Sequence, residues 1–159
     1  MNNNSKKIFN IEELVSYVNF LKKKNLIIGF TNGCFDLLHK GHIYSLSQAK
    51  KKCDYLIVGL NSDSSVTVLK GPNRPKDNQE LRIKKLSKCE TVDAIIIFYE
   101  TTPLELIKRI IPDVLFKGSE YKSKLVAGSE FMLKNGGKLE FIDILDGYST
   151  TNIIKNSSI

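Results

Sequence analysis

Short apolar runs alternate with stretches of helical periodicity along the whole 159-residue chain, and that alternation leaves few folds open. Ile11, Leu14, Val15, Val18 and Leu21 recur at helical spacing, predicting a helix over 11–24. Leu26 to Phe30 is a continuous apolar run, the mark of a strand covered on both faces. The same reading gives strands at 55–60, 94–98, 113–116 and 139–142. Helices are predicted at 41–52, 63–69, 79–89, 104–111, 125–134 and 150–156. Pro103 suits a first helical turn, and Gly136 follows the end of a helix. Strands that alternate with helices through short loops give an α/β fold: a Rossmann-like, mostly parallel sheet with helices on both faces. Ligands of such sheets bind beyond the carboxyl ends of the strands, where the strand order reverses. The loops after Phe30, Leu60, Phe116 and Ile142 are therefore the places to look for chemistry.

The length fits one domain over 1–159, with residues 1–10 expected to be a flexible polar leader. No apolar run is long enough to cross a bilayer, and the first residues lack a signal-peptide core, so a cytoplasmic protein is expected. Cys34, Cys53 and Cys89 form no C-x-x-C pair, which argues for reduced thiols and against a zinc site. A formal charge of +7 favours an anionic partner. Much of it lies in Lys22–Lys24 and Lys50–Lys52, near predicted helix ends, where lysines complement the helix dipole without a ligand. Charge alone therefore leaves a basic nucleic-acid-binding module open as a non-enzyme alternative. No RNA-binding signature supports it, and neither nucleic acid nor membrane is expected as a partner.

The loop after the first strand reads Thr31-Asn32-Gly33-Cys34-Phe35-Asp36-Leu37-Leu38-His39-Lys40-Gly41-His42. Neither G-x-x-x-x-G-K-[ST] nor, at this loop, G-x-G-x-x-G is present, which disfavours a P-loop NTPase and a dinucleotide oxidoreductase. The chain's two histidines stand here instead, three apart around a glycine at a helix start. At that spacing both imidazoles share a face. Gly41 permits close approach of a phosphate, and helix N–H groups add partial positive charge. The pair lacks the glutamate of H-E-x-x-H and a third histidine, so no protein-held metal is expected there.

Gly33 to His42 resembles the G-x-F-D-x-x-H-x-G-H signature of the cytidylyltransferase-like nucleotidyltransferase superfamily, and Ser149-Thr150-Thr151 resembles its second signature. A narrower resemblance, to the D-glycero-beta-D-manno-heptose 1-phosphate adenylyltransferase family, runs over almost the whole chain. It includes Leu69 to Pro75, Val92-Asp93, Lys117-Gly118, Gly136-Gly137 and Gly147 to Thr151. That family's usual Lys-Gly-Gly-Asp-Tyr appears here as Lys117-Gly118-Ser119-Glu120-Tyr121, which leaves the exact sugar open.

The resemblance implies the HxGH nucleotidyltransferase fold and transfer of AMP from ATP to a sugar 1-phosphate, in a standalone form without a kinase half. It also implies magnesium carried mainly by the triphosphate, and a homodimer. His39, His42 and Lys70 are then the expected catalytic residues. Gly33, Cys34, Phe35, His39, Gly41, His42, Gly147, Tyr148, Ser149, Thr150 and Thr151 are expected to bind nucleotide. Asp36, Asp63, Arg82 and Lys117 are the candidates for substrate; the two aspartates could equally place magnesium or cap a turn. A glycerol-3-phosphate cytidylyltransferase using CTP is the alternative within the same signature.

Overall fold

The computed structural model describes residues 6–156, apart from the side chain of Thr151. Five strands form one sheet: β1 (Ile28–Gly33), β2 (Tyr55–Asn61), β3 (Ala94–Phe98), β4 (Val114–Gly118) and β5 (Lys138–Ile142). Their order is β3-β2-β1-β4-β5 and every pairing among them is parallel. Among the described residues seven α-helices accompany them: α1 (Ile11–Lys23), α2 (Lys40–Lys50), α3 (Asp63–Lys70), α4 (Gln79–Ser87), α5 (Leu104–Ile110), α6 (Ser129–Lys134) and α7 (Thr150–Asn156). The expected α/β architecture is therefore the observed one.

Strand side chains alternate between two cores, as the pleat requires. Ile57 of β2 and Ala94, Ile96 and Phe98 of β3 face Leu14, Val18 and Leu21 of α1 and Ile107 of α5. Leu56, Val58, Leu60 and Ile95 face Leu46 of α2 and Leu86 of α4 on the other side. Each fully buried Leu or Ile contributes about 2 to 3 kcal/mol by leaving water. In β1 one position of this alternation must stay small. A Cβ on Gly29 would lie 2.6 Å from both Cys53 Sγ and the Phe116 ring.

Three expectations change. The first strand begins two residues later and runs through Gly33, because β1 stays registered with β2 as far as Gly33↔Leu60. The helix expected over 125–134 is reduced to α6. Gly128 adopts φ 87° immediately before it, and Val126 and Ala127 line a cleft instead. Residues 7–10 of the expected leader are held by hydrogen bonds. Ile95 N–H donates to Lys7 O and Phe9 N–H to Ile95 O, while Asn10 and Glu13 form a capping box on α1. Two apolar residues, Ile8 and Phe9, lie within the polar stretch; Ile8 bridges to Ile95 at the sheet edge and Phe9 packs on the core. Residues 1–5 of the expected leader lie outside the described residues.

Candidate active site

The strand order reverses between β1 and β4, since the chain builds outward to β2 and β3 and then returns to the other side of β1. A cleft of about 610 Å³ opens at the carboxyl ends of these strands. Its walls come from the β1–α2 loop, the end of α3, the segments after β3 and β4, and the entry to α7.

His39 is the N-cap of α2, with extended backbone, and His42 lies in the first turn. Their rings stack with centroids 3.8 Å apart. Gly41 N–H donates to His39 Nδ1 at 3.1 Å, and His39 N–H donates to His42 Nδ1 at 3.3 Å. Both Nδ1 atoms are acceptors, so in the neutral ring the proton sits on Nε2. Burial lowers the pKa of His39. Burial, reinforced by His39 and opposed by Asp36, brings that of His42 down to about 4. The corner therefore presents two neutral Nε2–H donors near neutral pH. Gly41 lines the cleft and also serves a second contact. A Cβ there would lie 2.9 Å from Tyr148 Cβ and 3.0 Å from the His39 ring, so the glycine lets the two signatures close on each other.

The second signature arrives through Gly147, at φ 83°. Tyr148 stacks its ring 6.3 Å from that of His39. Ser149 Oγ accepts from Asn152 N–H at the start of α7, and Thr150 Oγ1 donates to Asp36 O at 2.8 Å. Thr151 belongs to α7, and its side chain lies outside the described residues. Residues 114 apart in the chain are thus joined at one corner, although the sequence shows the two signatures as separate.

Phe35 and Leu37 both take left-handed backbone, at φ 46° and 52°. Each such residue costs about 1 to 3 kcal/mol and persists only where its surroundings over-determine it. Asp36, between them, provides that constraint. Its carboxylate accepts from Arg74 Nε at 2.6 Å, Lys76 N–H at 2.9 Å and Asp77 N–H at 2.9 Å. Burial alone would raise its pKa, but these donors outweigh it and hold the group below the usual carboxylate range. Asp36 lines the cleft, yet its work here is to fasten the histidine loop to the 74–77 loop.

Arg82 is corrected. It is fully buried, and its guanidinium donates to Cys34 O (2.7 Å), Asn61 O (2.7 Å), Asp77 O (3.1 Å) and Asp63 Oδ1 (2.8 Å). It is a strut beneath the cleft and does not line it. Asp63 gives its Oδ1 to this contact and also lies outside the cleft lining. A lone arginine on a predicted helix gives no sign of which way it points.

Gly33, Cys34, Phe35, Lys70 and Lys117 all line the cleft. Burial raises the Cys34 thiol pKa, so it stays protonated. Lys70 is the exposed last residue of α3, before Gly71 at φ 103°. Lys117, the penultimate residue of β4, donates to Asn32 Oδ1 at 2.6 Å. Burial lowers its pKa to about 8, against the opposing pull of Glu120 and Cys34. Asn32, Ser45, Thr101, Thr102 and Tyr121 also line the cleft and were absent from the sequence expectation. Asn32 had a signal, as a polar residue directly after a buried strand run.

Fold and site define the class first: a Rossmann-like α/β nucleotidyltransferase with its histidine pair at the strand-order switch. The chain belongs to the cytidylyltransferase-like family, whose model matches residues 30–156. It is 49% identical over 148 residues to the bifunctional protein HldE of Caulobacter vibrioides, covering 93% of this chain and 31% of that protein. It is 50% identical over 133 residues to the bifunctional protein HldE of Rhodopseudomonas palustris strain BisB18, covering 84% of this chain and 27% of the relative. The chain thus spans about a third or less of these relatives. The crystal structure of the lipopolysaccharide core biosynthesis protein from Thermoplasma volcanium GSS1 matches with TM-score 0.60 and 27% identity, over 78% of this chain and 99% of that one. No described helix is long and apolar enough to cross a membrane.

Proposed function

We propose that this protein transfers AMP from ATP to a sugar 1-phosphate, D-glycero-beta-D-manno-heptose 1-phosphate, giving an ADP-sugar and pyrophosphate. One observation carries the reading: two stacked imidazoles, each pinned at Nδ1 by a backbone N–H, stand at the strand-order switch beneath the Ser149–Thr150 helix start. The heptose acceptor is supported by the chain's similarity to the HldE proteins and to a lipopolysaccharide core biosynthesis protein.

An oxygen of the acceptor phosphate attacks the α-phosphorus of ATP. The bond from that phosphorus to the bridging oxygen breaks, and pyrophosphate leaves with the electron pair. A phosphate oxygen is already nucleophilic, so no general base is needed, and the rate gain comes from alignment and charge stabilisation. His39 and His42 donate from Nε2 to the triphosphate, most strongly as negative charge builds at the α-phosphoryl group. Gly33, Cys34, Phe35, Gly41 and the 147–151 segment enclose the nucleotide. Lys70 reaches the phosphates from the end of α3, and Lys117 meets the acceptor.

Among the described residues no three His, Cys, Asp or Glu side chains form a metal cluster, and Asp36 is saturated by Arg74 and two N–H groups. That donor set suits magnesium held mainly through the triphosphate, where it would neutralise the departing pyrophosphate. The test is a panel of ATP, CTP and GTP against heptose 1-phosphate and glycerol 3-phosphate, reading pyrophosphate and product mass. ADP-heptose is expected. Release with CTP and glycerol 3-phosphate alone would contradict the adenylyl reading, and salt-sensitive RNA binding without any release would contradict the enzyme.

A further inference from the structure

The sheet splits where its order reverses. β1 and β2 are registered over six residue pairs and β4 and β5 over five, but β1 and β4 over two, Gly29↔Val114 and Phe30↔Leu115. Had that ladder continued, Asn32 and Lys117 would have stood opposite each other. The strands part, and these two side chains span the gap instead, with Lys117 Nζ 2.6 Å from Asn32 Oδ1. An ammonium only donates, so the amide oxygen must face it, and Nδ2 is left as the donor end of Asn32. Both residues line the cleft.

The residue type matters. An aspartate at position 32 would hold the ammonium equally well but cancel its charge. An asparagine holds it and leaves the positive charge available to an anion. We propose that Asn32 is a positioning residue for Lys117, and that the two together seat the phosphate monoester of the acceptor in the split between β1 and β4. The inference deepens the adenylyl-transfer reading and rests on it for the identity of the anion. It places the acceptor phosphate between the strand ends and next to the histidine corner, where its oxygen can meet the α-phosphorus.

Several groups set the charge that Lys117 presents. Glu120 and Cys34 favour the ammonium, while burial opposes it. The Tyr121 ring lies 5.4 Å from Lys117 Nζ and 5.2 Å from Lys124 Nζ, and His42 lines the same recess as Lys117. With its pKa at about 8, Lys117 loses charge as pH rises through that value, so kcat/KM for the acceptor should fall on the alkaline side.

The test compares Asn32→Ala and Asn32→Asp with the wild type. Asn32→Ala should raise the acceptor KM about tenfold while the KM for ATP stays within about twofold, a split that a merely structural role would not produce. Asn32→Asp should raise the acceptor KM further and move the alkaline limb to higher pH, because the new carboxylate stabilises the ammonium. Equal losses for both substrates, or an unchanged acceptor KM, would overturn the proposal. A second readout does not depend on turnover: inorganic phosphate titrated calorimetrically into the protein, with and without a non-hydrolysable ATP analogue. Weaker phosphate binding by both variants and by Lys117→Gln is expected. Identical affinity in all four proteins would overturn the seat even if transfer is active. If the wild type released no pyrophosphate, the transfer reading would fail while this titration still decided the seat.

Discussion

Arg82 and the His39–His42 pair lie at the same end of the sheet, within one network of loops, yet they differ in what they leave unfinished. Arg82 spends its guanidinium on three backbone carbonyls and Asp63, fully out of water. The histidines spend one nitrogen each on a backbone N–H and keep the other. Charge close to a cleft thus divides into side chains that build the cleft and side chains that work in it. The number of donors already satisfied tells them apart better than residue type does.

Substitutions at the two places should separate stability from turnover. The largest effect expected is on Arg82→Met. Removing the guanidinium strands the carbonyls of Cys34, Asn61 and Asp77, at a cost of about 3 to 5 kcal/mol. Denaturant titration checks it; a loss below about 1 kcal/mol would mean that water or rearrangement replaces the strut. His39→Ala and His42→Ala should do the reverse. Turnover should fall about 100-fold or more, roughly 2.7 kcal/mol of transition-state stabilisation, in proteins that still fold cooperatively. Near-normal pyrophosphate release by either variant would erase the contrast.

The same pair gives the comparison a pH axis. His42 titrates at about 4 in the folded protein and near 6.5 when unfolded, so between these values the unfolded chain binds the extra proton. Its contribution is fully present above pH 6.5 and is lost as pH falls toward 4, by roughly 3 kcal/mol at most. His42→Gln should flatten that part of the stability profile; an unchanged slope between pH 6.5 and 4 would contradict the burial of a neutral ring. The smallest effect belongs to Lys70→Ala. Lys70 is exposed at the end of α3, so stability should stay within about 0.5 kcal/mol while kcat falls about tenfold.

Much of this fold is legible in the residues. The apolar runs at 55–60 and 94–98 name the inner strand β2 and the edge strand β3, and the helical period of Leu14, Val18 and Leu21 names the packed face of α1. Two boundaries are not legible, for physical reasons. β1 continues through Thr31 and Asn32, polar residues held by pairing with Val58 and Gly59 in a neighbouring strand, which no local periodicity encodes. α6 loses its first turn to the left-handed Gly128, while Leu125 stays 96% exposed at the cleft rim. At the site, the histidine spacing reveals the corner, because i and i+3 geometry is local. The use of Asp36 as a fastener for two loops depends on Arg74 and on the N–H groups of Lys76 and Asp77, about forty residues away. The strut role of Arg82 is hidden for the same cause: only tertiary packing decides whether a helix arginine points inward or to solvent.

The most direct measurement is ¹⁵N NMR of the two imidazoles at pH 7, with and without a non-hydrolysable ATP analogue. Both rings should be neutral with the proton on Nε2, and both Nε2 resonances should move when the analogue binds. Protons on Nδ1, or Nε2 signals indifferent to saturating analogue, would contradict the assignment of this corner as the place where the triphosphate is held and cleaved.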